Sequence, residues 1–255
     1  MRNAFTKMMA LTAVLFVGMA FYAQAEDMSL DIGGGVDIMS DYVWRGQLLT
    51  DEPVVQPYVD VGLEGLTLSA WGSIDTTDVN ERGSETYNFQ EMDYTLSYAV
   101  SPTEGIDLEG GGIYYDFPGT GASGTAEVFL SGTLSNVLLT PSATVYYDVD
   151  EVDGVYAKAQ VGHTFGLTER LGLNLSAGLG WGDQDYNDAY FGVSDSEVND
   201  LALDATLEYE VNEVVSISGY LGYSTLLGSS VEDAGEDAYG DSDILSGGIG
   251  LSFTY

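Results

Sequence analysis

The sequence predicts an all-β chain: a transmembrane, antiparallel, up-and-down β-barrel of about twelve strands. Three observations predict it. Segments of about ten residues recur in which apolar and polar positions alternate, the period of a strand with two unlike faces. Their connections alternate between short and long, the layout of a barrel with short periplasmic turns and long outer loops. Beyond residue 25 no segment approaches 18 consecutive apolar positions, so membrane-spanning helices are excluded.

The elements follow in order. Residues 1–25 are expected to be a signal peptide. Arg2 and Lys7 give a positive start, Met8 to Ala20 an apolar run, and Ala23-Gln24-Ala25 a small-x-small cleavage site. The apolar run is too short to span a membrane comfortably. Residues 26–255 are expected to form one barrel. Its first strand carries Leu30, Ile32, Val36 and Ile38 on one face and Asp31, Gly33, Gly35 and Asp37 on the other. Val55, Val59 and Val61 oppose Gln56, Tyr58 and Asp60, and Leu66, Leu68, Ala70 and Ile74 follow. Met92, Tyr94, Leu96 and Tyr98 face away from Glu91, Asp93, Thr95 and Ser97. Segments 106–116, 125–134 and 139–149 behave alike. Val155, Ala157, Ala159 and Val161 oppose Tyr156, Lys158 and Gln160; Leu171 to Trp181 oppose Asn174, Ser176 and three glycines. Leu201 to Tyr209 oppose Asp204, Thr206 and Glu208, and strands at 215–224 and 245–255 complete the set.

Short turns are expected near 63–66, 101–105, 135–138, 167–170 and 211–213. Long polar loops are expected near 45–53, 75–88, 117–124, 149–154, 182–199 and 226–242. A soluble β-sandwich also alternates, but it gives no reason for this ordered alternation of loop size. Strands of about ten residues also suit a tilted spanning strand better than a soluble sheet. Pro57 removes a ladder donor inside the second strand, so a bulge or a shifted boundary is expected there. Trp44, Tyr58, Trp71, Tyr98, Tyr114, Tyr147, Phe165, Trp181, Tyr209, Tyr223 and Tyr255 are expected near strand ends as girdles at the membrane–water boundary.

Charge excludes some functions. The chain has 6 basic and 41 acidic residues, a formal charge of −35. Once the signal peptide is gone, only Arg45, Arg82, Lys158 and Arg170 remain basic. Such a surface repels nucleic acid. The absence of cysteine removes disulfides, thiol catalysis and cysteine metal sites. His163 is the only histidine, on the expected lipid face without a matching serine and acid, so no enzyme is expected.

The C-terminus, Gly248-Ile249-Gly250-Leu251-Ser252-Phe253-Thr254-Tyr255, resembles the terminal-aromatic signal by which bacterial outer-membrane barrels are recognised for insertion. Near the N-terminus, Ser40-Asp41-Tyr42-Val43-Trp44-Arg45-Gly46-Gln47, then Asp51 to Tyr58 and Ala70-Trp71-Gly72-Ser73, resemble the opening of the TorF-type porin family. The resemblance covers residues 40–75 and implies an outer-membrane barrel with a pore.

Eight strands leave an interior that side chains fill, and sixteen or more leave an aqueous channel. The inward set here is small and acidic, so a narrow wet lumen is expected. Its candidate lining residues are Glu91, Asp93, Glu127, Lys158, Asp204 and Glu208, a set that favours cations. Arg45, beside Trp44 and before Gly46, is the candidate latch tying the first loop to lumen carboxylates; packing on Trp44 at the rim is the alternative. Asp183-x-Asp185-x-Asn187 resembles the start of an EF-hand loop. Asp188 and Ser194 stand where such a loop needs glycine and glutamate, so it fails as one. Loose Ca²⁺ or Mg²⁺ binding by the acidic loops, bridging lipopolysaccharide, is the only cofactor chemistry expected. The expected function is passive diffusion of small hydrophilic solutes, cations preferred. The alternative is a structural or surface-interaction barrel with a closed lumen. Outer-membrane lipid and lipopolysaccharide are the expected surroundings; the sequence leaves oligomeric state open.

Overall fold

Backbone groups inside hydrocarbon must pair with one another, each unpaired group costing several kcal/mol, so a sheet there has to close. The computed structural model, which describes residues 30–77, 88–118 and 120–255, has that closure. In chain order the elements are β1 (Leu30–Met39), β2 (Tyr42–Trp44), β3 (Gln47–Thr50), β4 (Val54–Leu63), β5 (Leu66–Asp75), β6 (Phe89–Thr103), β7 (Ile106–Asp116) and β8 (Thr125–Thr133). Then come β9 (Ser142–Asp148), β10 (Val155–Gly166), β11 (Leu171–Gly182), α1 (Gln184–Phe191), β12 (Glu197–Glu210), β13 (Val215–Leu226), α2 (Ser229–Tyr239) and β14 (Asp243–Thr254). All strands but β2 and β3 join one closed barrel of twelve, with β14 returning to β1. The seam runs antiparallel from Gly33↔Thr254 to Met39↔Gly248. The terminal Tyr255 extends it, exchanging backbone hydrogen bonds with Ile32 at 2.8 and 2.9 Å. The expected signal peptide, residues 1–25, lies outside the described residues, as does most of the loop expected at 75–88. Among the described residues no helix is long and apolar enough to cross a membrane.

The alternation sorts side chains as expected. Leu96, Leu130, Leu221, Leu245, Ile249 and Leu251 stand exposed on the outside, Leu245 at 69%. A soluble fold would not tolerate that display; a hydrocarbon solvent requires it. Exposed aromatics fall in two bands. Tyr147, Trp181 and Tyr223 lie toward the long-loop end, and Tyr98, Phe165, Tyr209 and Tyr255 toward the short-turn end. Three of the expected girdle residues are not there. Trp44 projects into the lumen with the first loop, Trp71 packs on the lumenal Tyr42 with ring centroids 5.4 Å apart, and the Tyr58 hydroxyl lies over Gly35 inside the barrel. Tyr58 and Trp71 share the parity of Asp60 and Ser69, and parity decides the face.

Several boundaries differ from expectation. At Pro57 the ladder skips from Val55↔Ile74 to Tyr58↔Trp71, so pairing lapses over two residues while the register is kept. There is no bulge. β6 continues to Thr103, where it pairs with Ile106, so the turn expected at 101–105 is shorter. β9 begins at Ser142, and the connection before it, 134–141, is longer and apolar. The segment expected as a polar loop at 45–53 begins at 40 and folds as the β2–β3 hairpin. The two longest loops each contain a helix, which the strand pattern did not predict. For α1 the signals were present: Asp183 caps the helix by accepting from Tyr186 N at 2.9 Å, and Gly192 ends it in the left-handed region. The carboxylate spacing that resembled a calcium loop is a helix cap.

Candidate functional site

Trp44-Arg45-Gly46-Gln47 closes the β2–β3 hairpin with two residues at positive φ, Arg45 at 51° and Gly46 at 82°. Two such residues make a tight turn whose twist suits a hairpin. Glycine takes this conformation freely, and space requires it as well. A Cβ on Gly46 would stand 2.6 Å from Leu226 Cδ2 and 2.9 Å from Asp200 Cβ. The tip is therefore pressed against β12 and β13 from inside the barrel.

Arg45 is almost enclosed. Its two terminal nitrogens donate to the two Glu127 oxygens at 2.8 and 2.7 Å, a bidentate pair with side-chain exposures of 9% and 3%. The guanidinium carbon lies 4.3 Å from the Trp44 ring centroid and 4.4 Å from those of Tyr146 and Tyr156. Tyr115 also donates to Glu127, at 2.7 Å. Burial alone would draw the guanidinium pKa down; Tyr186 and Glu127 outweigh it and hold it above its ordinary value, so the cation persists. Tyr42, at the base of the hairpin, has its phenol pKa raised well above the usual range by burial and then by Glu91 and Asp93, and it hydrogen-bonds Glu91.

The loop helices cover this hairpin. Tyr156, Tyr186, Phe191, Leu226 and Val231 form the buried apolar cluster of the molecule, with Trp44, Tyr146, Tyr190 and Tyr239 against it. Gln47 Nε2 donates to the Tyr186 hydroxyl at 3.3 Å, and the Tyr239 hydroxyl reaches Gln47 Oε1 at 2.7 Å. Asn187 and Asn199, both fully buried, tie α1 to the barrel. Asn199 Nδ2 donates to Asn187 Oδ1 at 2.6 Å, and Gly182 N donates to Asn199 Oδ1 at 3.1 Å.

The expected lumen residues divide into levels. Glu91, Asp93 and Glu127 gather around Arg45 and Tyr42. Asp93, Lys158 and Asp204 line a cavity of about 400 Å³ beside the hairpin tip. Asp204 accepts from Tyr220 at 2.6 Å and from Ser176 at 3.2 Å. Glu208, further toward the short-turn end on β12, lies within electrostatic reach of Tyr58. Asp200, just past the loop expected at 182–199, is a buried strand residue lining the same cavity and accepting from Tyr156 at 2.8 Å. Sequence reasoning missed the Tyr115, Tyr146, Tyr156 and Tyr186 cage. The parity of Tyr115, Tyr146 and Tyr156 was available to find the three members on strands; Tyr186 lies on a loop helix, which the strand pattern does not place. His163 lies on the outer face, edge-on to Phe165 at 4.6 Å. Among the described residues no three His, Asp or Glu side chains gather as a metal site.

The barrel is similar to solved porins. A chain described as the NanC porin is 13% identical with a TM-score of 0.52, covering 88% of this chain and 99% of that one. A chain described as the KdgM porin is 9% identical with a TM-score of 0.53, again covering 88% and 99%. Identities this low bear on the fold alone. No curated protein matches. The family model for MltA-interacting protein MipA matches residues 32–254. That match, with the twelve-strand barrel, places the protein in the bacterial outer membrane. The match spans all but the margins of the barrel, and the chain belongs to the MipA family.

Proposed function

We propose that this protein is a narrow outer-membrane channel for small hydrophilic solutes, cation-preferring, whose outer half is constricted by its own first loop. The observation that carries the reading is the charged cavity beside an arginine-anchored hairpin. Asp93, Asp200 and Asp204 face it with Lys158, and the Arg45 charge is already matched by Glu127. Carboxylates along a narrow path lower the energy of cations and raise that of anions. The lipid partner fits the apolar outer face and its two aromatic bands, and the TorF-type kinship rests on residues 40–75.

Planar-bilayer recording tests the channel. Wild type is expected to give small, cation-selective steps, and replacing Glu91 and Asp93 with Gln and Asn is expected to move the reversal potential toward zero selectivity. An unchanged reversal potential would remove these residues from the path.

A second reading has its own observation: the hairpin and both loop helices pack together in one buried apolar cluster. Under that reading the barrel is a closed scaffold, and the family's descriptor suggests an MltA-type partner. Wild-type protein would then be silent in every salt and would retain such a partner in a pull-down.

A further inference from the structure

The wall of the cavity formed by β10, β11 and β12 has an unusual surface. The inward row of β11 reads Ser176, Gly178, Gly180, and its glycines leave the wall without side chains of their own. Neighbouring strands fill that space. Lys158 of β10 lies across Gly178, where a Cβ would stand 2.6 Å from its Cε. Asp200 of β12 lies over Gly180, and Asp204 bonds Ser176. The result is a strip along one strand with an anion, a cation and an anion in sequence. Both carboxylates are held by hydroxyl donors, Asp200 by Tyr156 and Asp204 by Tyr220. Lys158 is within electrostatic reach of Asp200, yet among the described residues no carboxylate forms a salt bridge with it. On the opposite side Asp93 Oδ1 is buried without a hydrogen-bond partner and lines the same cavity.

We infer that this strip is a binding site for a basic amino acid, a solute carrying a carboxylate and two ammonium groups. Row positions four residues apart on a strand are separated by roughly 13 Å. Ammonium groups at the two ends of an extended lysine-sized molecule can each meet one aspartate across that distance. Its carboxylate then meets Lys158 between them. A simple diamine leaves Lys158 unmatched, and a neutral amino acid leaves one aspartate unmatched. The cavity of about 400 Å³ has room for a molecule of this size. The inference deepens the channel reading by naming its solute class, and it rests on that reading for access of the solute to the lumen.

The test is calorimetric titration of the detergent-folded full-length protein with L-lysine, lysine methyl ester, L-norleucine and cadaverine. L-lysine is expected to bind about ten-fold tighter than each of the other three, the size of one charge-assisted hydrogen bond. Lys158→Met is expected to abolish the advantage of lysine over its ester and to leave cadaverine binding no weaker. Asp204→Asn is expected to weaken lysine and cadaverine alike. Folding of each variant is checked by heat-modifiable migration on gels; should Asp204→Asn not fold, the wild-type ligand series and Lys158→Met decide. Equal affinities across the four ligands, no binding of any, or an unaltered ranking in Lys158→Met would overturn the site. Conductance in potassium chloride without lysine is read on the same preparations. A conducting barrel with no lysine preference sinks the site and spares the channel; a lysine-binding barrel that never conducts does the reverse.

Discussion

Arg45 holds a left-handed backbone, a conformation that costs a non-glycine residue roughly 1–2 kcal/mol. The compensation is the bidentate contact with Glu127 and three aromatic faces within 4.4 Å of the guanidinium carbon. Removing one partner of a buried ion pair strands the other, at about 3–5 kcal/mol. Arg45→Ala is therefore expected to release the hairpin from the barrel wall and to enlarge single-channel conductance. Arg45→Lys is expected to fall between the two, because an ammonium keeps the charge but neither the fork nor the flat faces. Equal conductance in wild type and Arg45→Ala would show that the hairpin does not set the constriction.

At the scale of elements, the hairpin, α1 and α2 depend on one another. Gln47 touches both helices, through Tyr186 and Tyr239, and Asn187 and Asn199 fasten α1 to β11 and β12. Burial raises the phenol pKa values of Tyr42 and Tyr186 well above the ordinary 10, with Glu91 and Asp93 adding to the effect on Tyr42 and Arg45 opposing it on Tyr186. The sign follows from linkage. Below pH 10 both phenols are protonated in folded and unfolded chains, and the packed arrangement keeps its full stability. As pH rises beyond 10 a released segment would ionise and the packed one would not, so the packed state loses stability. Conductance is expected to be flat up to about pH 10 and to rise above it, together with phenolate absorbance. A rise in conductance that begins near neutrality would point to carboxylates instead.

For the molecule as a whole, the charge of −35 is carried largely by loops and lumen, while the outer wall is apolar. Cation preference that arises from this field must depend on salt. The screening length falls from about 10 Å at 0.1 M to about 3 Å at 1 M. Selectivity measured by reversal potential is thus expected to weaken steeply over that range. Selectivity that persists in concentrated salt would mean direct coordination in a constriction, as at the Asp204–Lys158–Asp200 strip.

The barrel itself was legible in the residues. Period-2 alternation names the face of each side chain, and loop length names the end of the barrel, so twelve strands, the lipid face and the inward position of Lys158, Asp204 and Glu208 need no tertiary information. Pro57 showed where pairing would lapse, though not that the register would survive. What only the tertiary structure decided is where the loops go. In residues 40–53 the sequence marked Arg45 as a candidate latch to lumen carboxylates but not its partners, because Glu127, Tyr146 and Tyr156 lie on strands far along the chain and come together only after closure. Local pattern records which solvent a residue faces. A buried cation's choice of partner is made by a cavity that exists only once the sheet has closed around it.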